Sequence, residues 1–435
     1  MPKKKYKKGD SKLLNAWAFY DWANSVYPLV ISSAVFPIYY GSLFIDDLYI
    51  EVFGFNFKNT ALISFLTAFA FIILSFITPL LSGIADYMGN KKLFLKLFCY
   101  LGSFSCMGLY WFELSNIYLG LSFYFLALIS FWASLVFYNS YLPDIAFKEQ
   151  QDSISAKGYA LGYFGSVLLL ILNLAMVMYP SYFGISGPNP EILAMKYSFV
   201  SVGFWWIICS QYTFHYLPSS KEKKKIIKDV FFNGFNELKQ VWNELKKILV
   251  IRKYLIAFFI YSSALQTVLL IAAYFGEQEI DWPEDEKTIG LIVSILLIQL
   301  IAIFGAILTS KLSSKFGNIF TLILLNIFWA LLCIGAYFIT DPFEFYIAAG
   351  LVGLVMGGIQ ALSRSTFSKM IPKTDNTTSY FSFYDVSQKV SIVFGMTLFA
   401  FLDQITGSMR TSILMFVVIF LIGALLLKRI KINNY

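Results

Sequence analysis

The sequence predicts an all-α polytopic membrane protein: twelve transmembrane helices in two six-helix halves, with both termini cytoplasmic. Three observations predict it: long apolar runs, the placement of lysine and arginine, and an internal repeat. Of 435 residues, 58% are hydrophobic and 14% charged, against about 25% charged in an average soluble domain. Runs such as ALISFLTAFAFIILSFITPLL (61–81) and TSILMFVVIFLIGALLL (411–427) approach the roughly 20 apolar residues that cross a bilayer as a helix.

Apolar runs divided at turn and charge signals place spans at 15–44, 59–82, 91–112, 115–142, 156–180 and 195–217 in the first half. The second half follows with 252–276, 287–310, 318–339, 343–371, 378–404 and 409–428. A basic tail (1–14), a central linker (218–251) and a short C-terminal tail (429–435) complete the chain. The first span begins too long for a signal-peptide core and has no small-residue cleavage site after it, so it is expected to remain.

Orientation follows from charge. Of the 34 lysines and arginines, 29 fall in the two tails, the central linker and alternate loops together with the span ends that adjoin them, while the opposite loops are acidic, as in EQEIDWPEDEK (277–287). The positive-inside rule then makes both termini and the linker cytoplasmic. The net charge of +8 is thereby explained by the bilayer, and no nucleic-acid partner is expected. Within the linker, Phe231, Phe235, Leu238, Trp242, Leu245 and Leu249 recur at three-to-four spacing among lysines and glutamates. An amphipathic helix on the membrane surface is the expectation, acting as a tether between the halves.

The repeat is carried by matching loops. IADYMGN (84–90) and KLSSKFGN (311–318) align Gly89-Asn90 with Gly317-Asn318, and Leu142-Pro143 aligns with Ile371-Pro372, at offsets of 228 and 229. Six spans, a basic linker and six more spans are a duplicated transporter design, whose substrate sits near the midplane between halves that rock.

These residues carry a resemblance. SGIADYMGNKKLF (82–94) is similar to the loop motif of the major facilitator superfamily, with Gly83, Asp86, Gly89 and Lys91 as its gating residues. FYDWANSVYPLVISSAVFP (19–37), GYALGYFG (158–165), GGIQALSRSTFSKMIP and FSFYDVSQKV (within 357–390) resemble the branch called the unknown major facilitator family. That branch is related to vacuolar amino-acid effluxers of autophagy. The resemblance spans nearly the whole chain and implies the major facilitator fold, with export or uptake of a solute, amino acids being the substrate class suggested. Tyr87 and Asn90 stand where the superfamily loop usually has basic residues, which weakens the charge relay assigned to it.

Charged residues inside spans are costly and face a cavity or a partner. Asp21, Asn24 or Ser25, Pro28 and Ser32 form a polar stripe on span 1. Two readings of Asp21 stand: a carboxylate near the interface that favours its helix N-terminus, or one at the cavity mouth that meets a substrate ammonium or a proton. Span 11 carries Ser382, Asp385, Gln388 and Lys389. The i,i+4 pair Asp385–Lys389 either compensates itself and fixes packing, or acts as a gate whose partner swaps. Gln360 on span 10 is a candidate ligand group, and Arg364 below it an anchor or the partner of a carboxylate. Asn139, Asn173 and Gln266 are further candidates for the lining, single amides being as often interhelical glue. Small residues Gly158, Gly162 and Ser166 read as a packing row.

No P-loop, nucleophile elbow or metal spacing occurs, so neither catalysis nor ATP-driven transport is expected. Cys99, Cys106, Cys209 and Cys333 read as buried apolar side chains, and His215 as an interfacial residue. The functional expectation is a monomeric secondary transporter of a small polar or zwitterionic solute, in the inner membrane of a bacterium, with no cofactor and a proton as candidate coupling ion. Two rivals remain: a sensor or scaffold signalling through 219–249, and an exporter of lipids or hydrophobic drugs, suggested by 45 phenylalanines.

Overall fold

The computed structural model describes residues 6–44, 49–219, 230–283 and 286–430. The lysines of 1–5, the linker stretch 220–229 and residues 431–435 lie outside the described residues. Among those described, eleven helices are long and apolar enough to cross a membrane. They are α3 (Asn59–Met88), α4 (Lys91–Gly108, running on to Trp111), α5 (Ile117–Asn139, with its short continuation α6, Leu142–Ile145) and α7 (Lys148–Met178). The rest are α8 (Pro190–Tyr216), α10 (Leu249–Glu279), α11 (Lys287–Phe316), α12 (Asn318–Ala336), α13 (Pro342–Met370), α14 (Thr377–Thr406) and α15 (Met409–Lys428). Helices satisfy their backbone groups internally, which lipid demands.

The first predicted span differs from a plain helix. α1 (Ser11–Asn24) begins at Asp10, whose side chain accepts from the Lys12 and Leu13 amides at 2.8 and 3.2 Å. A π-helical stretch, Tyr27–Ala34, follows, and then α2 (Val35–Ser42). Pro28 stands at the second position of the stretch and Pro37 three residues past its end, and their missing N–H groups break the i→i−4 ladder. The Pro28 carbonyl accepts the Ser33 hydroxyl at 2.9 Å. Residues 49–58, expected as loop, form a hairpin of β1 (Tyr49–Val52) and β2 (Phe55–Lys58). Its turn residues Phe53 and Gly54 both have positive φ, the conformation a two-residue hairpin turn requires.

Two large hydrophobic clusters make most of the core, with a small third one of Ala156, Ala306 and Ala361. One is built from residues between Leu13 and Leu217; the other lies between Val241 and Ile430, joined by Val136 and Tyr163. We call these the first and second bundles. Between them, α9 (Val230–Lys247) packs on α3, α10 and α14. The predicted apolar face of this helix is divided between two sides. Val241 and Leu245 are buried, whereas Phe235 and Trp242 are exposed and Leu249 already belongs to α10. The four cysteines are unpaired, and three are buried.

Candidate functional site

Asp21 finds its cation in Arg364. The guanidinium of Arg364 on α13 donates to the Asp21 carboxylate on α1 through both terminal nitrogens, each at 3.1 Å, and both side chains are buried. Tyr138 on α5 donates its hydroxyl to the same oxygen at 2.8 Å. Arg364 also donates to the Ser155 hydroxyl and carbonyl on α7, both at 2.9 Å, and to the Asn139 amide oxygen at 3.3 Å. The Tyr159 and Trp17 rings cover it at 4.3 and 4.9 Å, a flat cationic group stacking well on aromatic faces. Glycine at 158 makes room: a Cβ there would overlap the Asp21 carboxylate.

A second buried charge pair, Asp385 with Lys389, sits where α14 crosses α3. Lys389 also donates to Thr78 of α3 at 3.4 Å. Further up, Tyr163 of α7 donates to Gln360 of α13 at 2.8 Å. Gln266 and Gln388 are partly exposed and, among the described residues, hold no side-chain hydrogen bond. Asn24 is buried with its amide nitrogen unpartnered. Asn173 lies apart, buried between α7 and α8 with its oxygen taken by Ser201 at 2.9 Å. Along span 1 the predicted stripe runs from buried Asp21 and Asn24, through half-exposed Ser25 and Pro28, to exposed Ser32.

The repeated loops make repeated contacts. Gly89, at φ 63°, ends α3 in the left-handed conformation, and Asp86, in the last turn of α3, reaches the start of α14. There the carboxylate accepts from the amides of Thr378 and Ser379 at 3.2 and 2.6 Å, the second and third residues of that helix. Asp86 therefore caps a helix of the other bundle, which its negative charge favours. Lys91 bonds Asp144 at 2.6 Å and Thr377 at 2.9 Å. In the matching loop, Asn318 donates to Asp152 of α7 at 2.9 Å, and Lys369, in the last turn of α13, pairs with Asp152 at 2.5 Å. Gly83 lies against the Gly234 carbonyl of α9, and Tyr87 accepts from Asn233 at 3.1 Å. Replacing Asp86 by alanine is expected to remove the cap and cost about 1 kcal/mol, read as a lower Tm, with Asp86→Asn near wild type.

Sequence reasoning missed Tyr138, Ser155, Asp152, Lys369 and Thr78. The repeat offset was a signal for Asp152, because loops at equivalent positions meet equivalent partner helices.

The polar ties that cross between bundles run from the α9 end to mid-span among the described residues. At the hairpin end the charge pairs stay within one bundle: Lys196 with Glu113 at 2.6 Å and Arg410 with Glu279 at 2.8 Å.

Helices in two bundles, with a buried charge pair joining them, define a multi-pass membrane transporter of the major facilitator type. The chain belongs to the family described as Vacuole effluxer Atg22 like, which it matches over residues 9–434. It is 29% identical over 422 residues to an uncharacterized MFS-type transporter, YxiO, of Bacillus subtilis (strain 168), covering 96% of this chain and 94% of that protein. It is 28% identical over 316 residues to autophagy-related protein 22 of Vanderwaltozyma polyspora, covering 64% of this chain and 55% of that protein. The chain thus spans about half the length of that fungal relative. Among solved structures, it resembles the major facilitator transporter FucP in the outward conformation, with a TM-score of 0.72 at 14% identity, over 97% of this chain and 99% of that one. A bacterial homologue of the iron transporter ferroportin gives a TM-score of 0.63 at 13% identity, over 98% of each chain.

Proposed function

We propose that the protein moves a small zwitterionic solute, with amino acids as the class, by alternating access between two six-helix halves (15–217 and 252–428). The observation that carries this reading is the buried Asp21–Arg364 pair between bundles. A carboxylate and a guanidinium that must separate when the halves rock are the groups that an ammonium and a carboxylate of one solute would satisfy. In this reading the crossing ties at the α9 end are the seal of one state of the cycle, and the other state breaks them. Asn24, Gln266, Gln360 and Gln388, with the Asp385–Lys389 pair, are the further lining groups in this reading. Ser11–Ser42 counts as the twelfth span, broken by its π stretch, and the basic loops place both termini and α9 on the cytoplasmic side of a bacterial inner membrane. The chain works as a monomer.

A proton is the coupling ion of the proposal, with Asp21 its carrier once Arg364 withdraws. Two experiments test it. A panel of amino acids, sugars and hydrophobic drugs is screened for a rise in Tm of the purified protein. Occupancy at about a hundred times Kd adds about 2.7 kcal/mol to the folded state. Stabilisation by sugars or drugs alone would remove the zwitterion reading. In proteoliposomes, Asp21→Asn should abolish the pH dependence of flux; a flux that keeps its pH dependence excludes Asp21 as carrier.

A further inference from the structure

α9 presents two different stripes. The inner one, Gly234, Glu237, Val241, Glu244 and Leu245, faces the transporter. Gly234 meets Gly83 and Ile84 of α3, while Asn376 donates to Glu237 at 3.0 Å and Tyr380 to Glu244 at 2.9 Å. With Asn233 bonded to Tyr87, α9 holds α3 of the first bundle and α14 of the second together, beside the Asp86 cap. The outer stripe is Phe232, Phe235, Lys239, Trp242 and Lys246, spaced three and four residues apart on one face. Phe232 is 67% exposed, Phe235 53% and Trp242 46%. Trp242 packs against Phe383 at 5.3 Å, at the foot of the exposed apolar face of α14 that carries Val390, Val393 and Phe394. The Lys246 ammonium lies over the Trp242 ring at 5.0 Å.

We propose that the outer stripe of α9 seats in the anionic headgroup layer of the bilayer, and that this seating holds the α9 end shut. Aromatic rings alternating with lysines match that layer, whose surface is negative and whose interior is apolar. Tryptophan is favoured at that depth. The stripe is also continuous, through Trp242 and Phe383, with a helix face that lipid covers. A helix held in the headgroup layer cannot swing away from α3 or α14, so bilayer charge biases the closed state. The proposal rests on the alternating-access reading above.

The test uses the full chain with its four cysteines replaced by alanine and spin labels at Lys148→Cys and Ser314→Cys. These are exposed positions on α7 and α11 at the α9 end, one on each bundle. Distances are measured in vesicles of phosphatidylcholine alone and with phosphatidylglycerol added. Added phosphatidylglycerol should raise the short-distance population several-fold. A Phe235→Ala/Trp242→Ala variant should lose that response, and Asn233→Ala/Glu237→Ala should lower the short-distance population in both lipids. Identical distributions in the two lipids, or a full response in the outer-stripe variant, overturn the proposal and leave that stripe to a protein partner or to water. Arg364→Met separates the two ideas. If it lengthens the distance while lipid has no effect, alternating access survives and the lipid role falls. If neither changes the distance, both fall.

Discussion

Arg364→Met is expected to destabilise the protein more than any other single substitution considered for the site. The guanidinium gives the Asp21 carboxylate two donors and closes a network that includes Tyr138, Ser155 and Asn139. Removing one member of a buried pair leaves the other uncompensated, at a cost of about 3–5 kcal/mol. The loss should appear as a lower Tm and as opening of the α9 end, since the pair joins α1 to α13 across the bundles. Replacing both charges is a different experiment. Asp21→Asn/Arg364→Met leaves no buried charge, and such replacements are often neutral or stabilising. The double variant should therefore recover most of the Tm while losing transport, because in the proposed cycle the same two groups meet the solute. An unchanged Tm in the single variant, or a double variant no more stable than the single, would sink this account. Recovery of both stability and transport in the double variant would show that the pair only packs.

How far the chain could be read in advance depended on the range of each interaction. Long apolar runs dictate helices because lipid offers no other partner for the backbone, and the helix α15 runs from Met409 to Lys428, the span its pattern predicts. The hairpin at Tyr49–Lys58 escaped because its turn, Phe53-Gly54, lacks the Asn-Gly or Asp-Gly signal. Asp21 and Arg364 were each legible as costly charges inside spans. Their pairing was not, since 343 residues separate them and no local spacing brings α1 to α13. Ser155 was invisible for another reason: a serine hydroxyl in an apolar helix usually bonds its own backbone, as Ser134 does with Phe131 at 2.8 Å. Tyr138 read as one more aromatic in an apolar run, since the reach of its hydroxyl to α1 is set by packing alone. On α9 the three-to-four period was visible. Which stripe would be buried was decided by Gly234, whose lack of a side chain lets α9 approach α3.

Gly158→Ala should act on the same clamp without touching a charge. In a helix, alanine for glycine usually stabilises by about 1 kcal/mol, and Gly335 of α12, with open space around its would-be Cβ, should follow that rule. Position 158 should reverse it. A Cβ there overlaps the Asp21 carboxylate and would lie 3.0 Å from an Arg364 nitrogen and 3.3 Å from the Tyr138 hydroxyl. All three groups are held on other helices, so none yields independently. Overpacking of this kind costs about 1–3 kcal/mol, and each 1.4 kcal/mol is tenfold in an equilibrium. The closed α9 end should therefore lose roughly ten- to a hundredfold in population relative to the open state, measured by the same pair of spin labels. Asp21→Asn added to Gly158→Ala should not relieve the clash, because the amide fills the space of the carboxylate. That outcome separates a steric cause from an electrostatic one. If Gly158→Ala raises Tm as Gly335→Ala does and leaves the distance distribution alone, the clamp is looser than its geometry and Gly158 serves helix packing only.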